Sequence, residues 1–242
     1  MVTSRFGSRA LSFVYRLSQK LITLDITHLM ILTSETLRPP PEIARDMHVS
    51  VLPTDQVRQF SANPSNHLVA AIASRIELGN DICVAACCGN RLAAYAWYAL
   101  GSIEASQNCG RTVHSGTALS FPSNCAFLYK AFTHPDFRGR GLYKHVNRHA
   151  LEILSHRGID TILATTDWSN FSALKSCYGL GFQHLGNIWR VGTPGMVAGF
   201  YPTKAKRLDV RFGSRANVVD REQLWQGRTT SGECGPMAIE QL

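Results

Sequence analysis

The chain has no uninterrupted apolar run long enough to cross a bilayer. Its most apolar N-terminal stretch, ALSFVYRLSQKLITLDITHLMIL, is broken by Arg16, Lys20, Asp25 and His28, whereas a spanning helix needs about 20 predominantly apolar residues. The stretch also lacks the charged, apolar, small-residue order of a secretory signal. None of the seven cysteines stands at zinc-ligand spacing from another, and Cys83, Cys87 and Cys88 share one apolar run. They read as reduced, mostly buried thiols of a cytoplasmic protein. Acidic residues are few, 17 Asp and Glu against 25 Lys and Arg, for a formal net charge of +8. Such a balance favours an anionic partner: nucleic acid, an acidic membrane face or a phosphorylated small molecule. No nucleic-acid motif with interleaved aromatics accompanies the charge.

What is present suits a globular domain. The 242 residues are 45% hydrophobic and 17% charged, enough for one large domain with extensions. Leu11, Val14, Tyr15, Ser18 and Ile22 follow a helical spacing, and RPPPE at 38–42 is a rigid, non-helical break. Three parts are expected: an N-terminal helical extension and Pro-rich linker over 1–46, a catalytic-type domain over 47–201, and a basic tail over 202–242. Within the middle part, HVSVL alternates as a strand, and Val57, Phe60, Leu68 and Ile72 suggest a helical stretch. DICVAACC and RLAAYAWYAL flank Gly89-Asn90 as a hairpin. NCAFLYKAFTH is a strand. Leu142, Val146, Ala150, Ile153 and Leu154 then form a helical stripe that Gly158 stops. DTILATT is a buried-type strand. Ser169 or Asn170 caps a helix to Tyr178, and FQHLGNIWRV forms a last strand or hairpin. A strand-helix-strand unit joined to a meander gives a mixed α/β sheet. The peptide RFGSRA occurs at 5–10 and again at 211–216; nothing physical in the sequence explains the repeat.

The segment FRGRGLY at 137–143 raises a chemical question, because it crowds two arginines and two glycines at the start of a helix. A helix N-terminus exposes unpaired N–H groups and the positive end of its dipole. Gly139 and Gly141 would let a ligand approach the backbone, and Arg138 and Arg140 would add charge for phosphate oxygens. A P-loop is excluded because Leu142-Tyr143 stands where Gly-Lys-Ser/Thr would end it. A dinucleotide fingerprint is excluded because Lys144 stands where glycine or alanine is needed. A bare helix cap without a ligand stays open on this motif alone. His145 and His149 are four apart but carry Val146 between them instead of a glutamate, so no metal site is expected.

FTHPDFRGRGLYKHV resembles the coenzyme A loop of the GCN5-related N-acetyltransferase (GNAT) family. Arg138 and Gly141 match the first two fixed positions of that loop, and Tyr143 stands at the last, where the family prefers a small residue. NFSALKSCYGLGF resembles the family's later element through Asn170, Ala173, Tyr178, Gly181 and Phe182. The resemblance covers about Met47 to Val191. It implies an α/β fold with a mixed, mostly antiparallel sheet, a splayed parallel strand pair and flanking helices.

The resemblance also implies acetyl-CoA as acyl donor and direct transfer to a primary amine of a small molecule or peptide. Backbone groups near Ala131, Phe132 and Thr133 would bond the pantetheine arm. Arg138, Gly139, Arg140, Gly141, Leu142 and Tyr143 would hold the pyrophosphate through their N–H groups, and Asn170 would touch the cofactor. Tyr178 would act as the general acid. His134, Asp167 and Glu104 are candidate bases, none of them specified by the sequence. Cys177 reads as a buried thiol and not as a nucleophile. A non-catalytic acyl-CoA-binding module is the rival reading, and a homodimer is left open.

Overall fold

A computed structural model describes residues 23–70, 73–108, 116–193 and 196–213. Eight strands form one sheet. In chain order they are β1 (Thr23–Thr33), β2 (Met47–Val51), β3 (Asp81–Cys88), β4 (Arg91–Leu100), β7 (Cys125–Thr133), β8 (Thr161–Asp167), β9 (Gln183–Thr193) and β10 (Met196–Phe200). Two short strands between them, β5 (Ser102–Ile103) and β6 (Leu119–Ser120), join β11 (Arg211–Phe212) in a small second sheet. The order across the large sheet is β10-β9-β1-β8-β7-β4-β3-β2, and only β7 and β8 run parallel. The expected mixed, mostly antiparallel sheet is therefore present.

Its helices follow the sequence signals closely. Helix α1 (Thr54–Ser61) and the short α2 (Ala73–Glu77) replace the single helical stretch expected there, because Asn63 caps a 3-10 turn at Pro64–Asn66 and breaks the run. Ile72 lies outside the described residues. Helix α3 (Leu142–Ser155) buries Val146, Ala150, Leu151 and Leu154. Helix α4 (Phe171–Leu180) is capped by the Asn170 side chain, whose Oδ1 accepts from the Ala173 N–H at 3.1 Å. Both contribute to the core on one face of the sheet, which also contains Met30, Leu32, Ile162 and Ala164. The other face buries Trp97, Tyr95, Phe127 and Leu163. Burial of such side chains is worth about 1.5–3 kcal/mol each.

Regular structure reaches past both expected boundaries, at 46/47 and 201/202. Thr23–Thr33 is the third strand from one edge of the sheet, paired with β8 from Thr27↔Asp167 to Thr33↔Thr161 and with β9 on its other side. The sequence reason is a strand pattern. Leu24, Ile26, His28, Met30 and Leu32 share one face, while Asp25, Thr27, Leu29 and Ile31 share the other. A strand buried on both faces reads as a continuous apolar run, which here was absorbed into the N-terminal extension. The helix expected over 11–22 lies outside the described residues. At the other end, α5 (Thr203–Arg207) buries Ala205, Val210 is buried beside it, and β11 follows. The basic residues of that segment ride on an anchored helix.

One buried charge pair ties β1 to β9. Asp25 and Arg190 are each 2% exposed and face each other at 2.6 Å, and Arg190 Nε also donates to Thr117 Oγ1 at 2.6 Å. Removing one partner of such a pair strands a buried charge, at a cost of roughly 3–5 kcal/mol. Asp25→Ala is expected to lower stability by about that much in urea denaturation. The double replacement Asp25→Leu/Arg190→Met is expected to lose less than the single one. Additive losses would show that the pair is not coupled.

Candidate active site

The one parallel contact of the sheet is short. Strands β7 and β8 pair from Cys125↔Thr161 to Leu128↔Ala164. Beyond that, each continues beside its other neighbour: β7 along β4 to Thr133, and β8 along β1 to Asp167. The strands part where β7 carries a bulge. Its register against β4 passes from Trp97↔Lys130 to Tyr98↔Leu128, leaving Tyr129 as the extra residue. A bulge bends and twists its strand. The bulged residue is pinned, because Tyr129 Oη donates to Asp81 Oδ2 at 2.6 Å and Arg75 grips both Asp81 oxygens at 2.8 Å. Burial and Asp81 push the Tyr129 hydroxyl well above its ordinary range, so it stays a donor.

The chain leaves β7 through His134, whose Nδ1 accepts from the Asp136 N–H at 3.3 Å. A 3-10 turn at Pro135–Phe137 leads to Gly139 and Gly141, at φ +76° and +71°. Such angles suit glycine, which lacks the Cβ that makes them costly. Lys144 is the first helix residue whose N–H reaches back, to Gly141 O at 2.9 Å. The N–H groups of Gly139 to Tyr143 precede it, at the positive end of α3. Arg138 Nε donates to Thr133 O at 3.3 Å, which braces the turn. Phe137 is buried beneath two guanidinium groups, Arg91 at 4.9 Å and Arg140 at 5.3 Å from its ring centre. The result is a basic turn with open backbone donors.

A cavity of about 210 Å³ opens at this turn. Thr133, Arg138, Gly139, Gly141, Leu142 and Tyr143, all named from the sequence, are among the residues that line it. Phe137, Lys144 and Ser176 complete it and were not foreseen. Arg91 was also missed; it lies far off in sequence and arrives beside the turn only through the β4–β7 pairing, where it bridges Asp136 at 2.7 Å. A Cβ at Gly139 would meet nothing within 4 Å, so the backbone is open to a ligand there. At Gly141 it would lie 2.6 Å from Pro41 Cγ. The Pro-rich segment is therefore no free linker. It crosses the molecule against the turn, and Arg38 N–H holds Leu180 O at 2.7 Å on the way.

The other expected residues separate by role. Tyr143 lines the cavity while its hydroxyl turns inward, 3.5 Å from Cys177 Sγ. The Phe132 ring packs between His67 and Tyr95 on the far face. Asn170 spends its Oδ1 on the α4 cap. Arg140 stacks on Phe137 outside the cavity lining. Cys177 is fully buried and its thiol is pushed up to about 12 by that burial, which leaves it unreactive. Asp167 accepts from both the Ser169 N–H and hydroxyl, and Glu104 is exposed. Among the described residues no group of three potential ligands could hold a metal ion.

Tyr178 stands in the last turn of α4, 36% exposed. Partial burial pushes its hydroxyl above the ordinary phenol value. Its Oη lies 3.1 Å from Nδ1 of His28 on β1. The His28 ring in turn lies 4.5 Å from that of His184 on β9. Neither histidine was foreseen, because β1 was read outside the sheet. A family model described as "Acetyltransferase (GNAT) family" matches residues 49–182, more than half of the chain.

This chain belongs to the GNAT acetyltransferase family.

No curated protein matches it. Among solved structures it is similar to an acetyltransferase of the GNAT family from Novosphingobium aromaticivorans, at 18% identity and TM-score 0.46, over 70% of this chain and 65% of that one. It is similar to a GCN5-related N-acetyltransferase from Kribbella flavida, at 13% identity and TM-score 0.48, over 76% and 65%. A tandem GNAT protein from the clavulanic acid biosynthesis pathway aligns at 12% identity and TM-score 0.45, over 78% and 58%. The chain thus spans less than two thirds of each of these structures. The family match begins at residue 49, so the GNAT domain of this protein borrows β1, and with it His28, from sequence that the family model does not include.

The half-buried imidazole of His28 makes stability depend on pH. Desolvation, then the nearby charge of His184, lower His28 from 6.5 to about 4. The unfolded chain therefore binds a proton more readily than the folded one. The neutral form's contribution to stability is whole above pH about 6.5 and is lost as pH falls towards 4. Thermal unfolding between pH 7 and 4 is expected to show this loss, and His28→Gln to flatten it. An equal slope in both proteins would mean that His28 does not titrate on unfolding.

Proposed function

We propose that the protein is an acyl-CoA-dependent N-acyltransferase that moves acetyl from acetyl-CoA to a primary amine by direct attack. The observation that carries this reading is the parting of β7 and β8 beside a glycine turn whose N–H groups lead into α3. Family membership supports acetyl transfer in general terms; the donor, the amine and the residue roles are this proposal's own.

Acetyl-CoA supplies an acyl thioester whose carbonyl carbon an amine can attack. The residues present fit it. Backbone N–H groups from Gly139 to Tyr143, with Arg138 and Lys144 beside them, would hold the pyrophosphate at the helix terminus. The open space above Gly139 admits the ligand's close approach. Backbone groups of β7 near Phe132 and Thr133, left without a parallel partner strand, would bond the pantetheine arm. Asn170 would act on the cofactor only through the α4 cap that it makes. Tyr178 would give its hydroxyl proton to the departing sulfur. An alkylammonium acceptor must first lose a proton, since its ordinary pKa is about 10.4. His134, which follows the last residue of β7, is a candidate to take it, through water. All five cysteines among the described residues are free thiols, which suits a reducing, cytoplasmic setting.

Acetyl-CoA at saturation is expected to raise the melting temperature, because it would bind the folded state alone. Gly139→Asp is the cleaner test of where the phosphates lie, since Gly141 variants also strike Pro41. It should weaken binding at least tenfold while the free protein stays folded; unchanged affinity would place the phosphates elsewhere. Thiol release measured over a panel of primary amines then separates an enzyme from an acyl-CoA-binding module. Tyr178→Phe should cut turnover by about 10² with acetyl-CoA affinity near normal. Full turnover in that variant would remove Tyr178 from the chemistry.

A further inference from the structure

His28 sits where three elements meet. On β1 it pairs in register with Thr166 of β8 and Asn187 of β9. It shares a sheet face with Met30 and Leu32, the face that carries α4. Its Nδ1 is 3.1 Å from Tyr178 Oη of α4. On its other side stands the His184 ring, tilted by 42° at 4.5 Å. His184 is itself fixed, with Nε2 at 2.8 Å from Asn187 Oδ1. An amide oxygen only accepts, so His184 Nε2 carries its proton. The titratable groups facing His28 are thus the Tyr178 phenol and the His184 imidazole, and the flanking strands offer Thr166 and Asn187.

We propose that His28 is the positioning residue of the Tyr178 hydroxyl: its Nδ1–H donates to the phenol oxygen, turns the phenol's own O–H outward, and holds the negative charge left when that proton departs. The inference rests on Tyr178 being the acid of the acyl transfer.

A neutral imidazole has one N–H. If that proton sat on Nε2, Nδ1 would accept a hydrogen bond from the phenol O–H, which would then point at His28 and not at the leaving sulfur. With the proton on Nδ1, the phenol oxygen accepts and its O–H is free. The balance of the step is then simple. The Tyr178 O–H bond breaks and an S–H bond forms on the leaving sulfur. The phenolate is held by the His28 N–H, then takes the proton that the acylated nitrogen sheds through solvent. No oxidant or further reactant enters. His28 keeps the Nδ1–H throughout, so it orients and stabilises without itself exchanging a proton. It arrives on a strand that the GNAT family model does not cover, which gives β1 a part in the site as well as in the sheet.

The test uses the full chain and has two independent readouts. The first is the phenolate absorbance of Tyr178, isolated as the difference between wild type and Tyr178→Phe. In His28→Phe the midpoint of that titration should rise by about half to one pH unit, the worth of one hydrogen bond. His28→Gln, whose amide N–H can replace the donor, should restore most of the shift. The second readout is the rate of thiol release from acetyl-CoA with hydroxylamine as acceptor. His28→Phe should slow it about threefold to tenfold, and should have no further effect when combined with Tyr178→Phe. If His28→Phe folds poorly, His28→Val is read in the same way. An unmoved titration, a His28→Gln protein as impaired as His28→Phe, or additive losses in the double variant would overturn the proposal. A Tyr178→Phe protein with full activity, beside a shifted titration, would instead overturn the acid reading while leaving the hydrogen bond in place.

Discussion

The whole site depends on two parallel strands that stop touching. A parallel pair left intact would satisfy its own N–H and C=O groups and offer a ligand nothing. Here the pair closes for four residues a side and then opens, while each strand stays bonded to its outer neighbour. The opening is built in by Tyr129. An extra residue on β7 turns the strand, and the Tyr129–Asp81–Arg75 chain of short hydrogen bonds holds the turn from the far face. Backbone groups that would otherwise be ladder bonds become available at the one place where the glycine turn and α3 also present theirs.

That geometry explains why side chains contribute so little to the expected cofactor surface. Tyr143 points into the core, Phe132 packs on the opposite face, and Asn170 caps a helix. Each had been placed near the ligand by its position in a motif, and motif positions here describe backbone. Spacing along the chain located Gly139, Gly141 and Leu142 because a turn and a helix start are local events. It could not locate Arg91 or Ser176 at the turn, or His28 beside Tyr178, because strand pairing and helix packing bring them there across long sequence separations.

Legibility of the fold follows the same division. The hairpin at Gly89-Asn90, the α3 stripe and the α4 cap were read correctly because each rests on a short period or a single capping residue. The strand at Thr23–Thr33 was not. Its alternation is masked where Leu29 to Leu32 run together, since that half is covered on both faces. Arg16, Lys20 and the proline run then made the neighbourhood look like an extension. A charge pair across β1 and β9 is equally silent in sequence, for Asp25 and Arg190 are 165 residues apart.

The position of β1 has a consequence for how the protein can be built. A strand drawn from before the family match lies between β8 and β9, so the sheet is continuous only with residues 23–33 in place. The Pro-rich segment leaves β1 at Thr33, donates from Arg38 N–H to Leu180 O at the end of α4 and rests on Gly141 at the start of α3. The two helices that frame the cavity are therefore tied together by a segment that contributes no hydrophobic stripe of its own. Proline suits that task, since it holds an extended path at small entropic cost and leaves few N–H groups to satisfy. What composition alone presents as a spacer between two parts is, in the folded chain, a brace that spans from the glycine turn at the start of α3 to the helix that carries Tyr178.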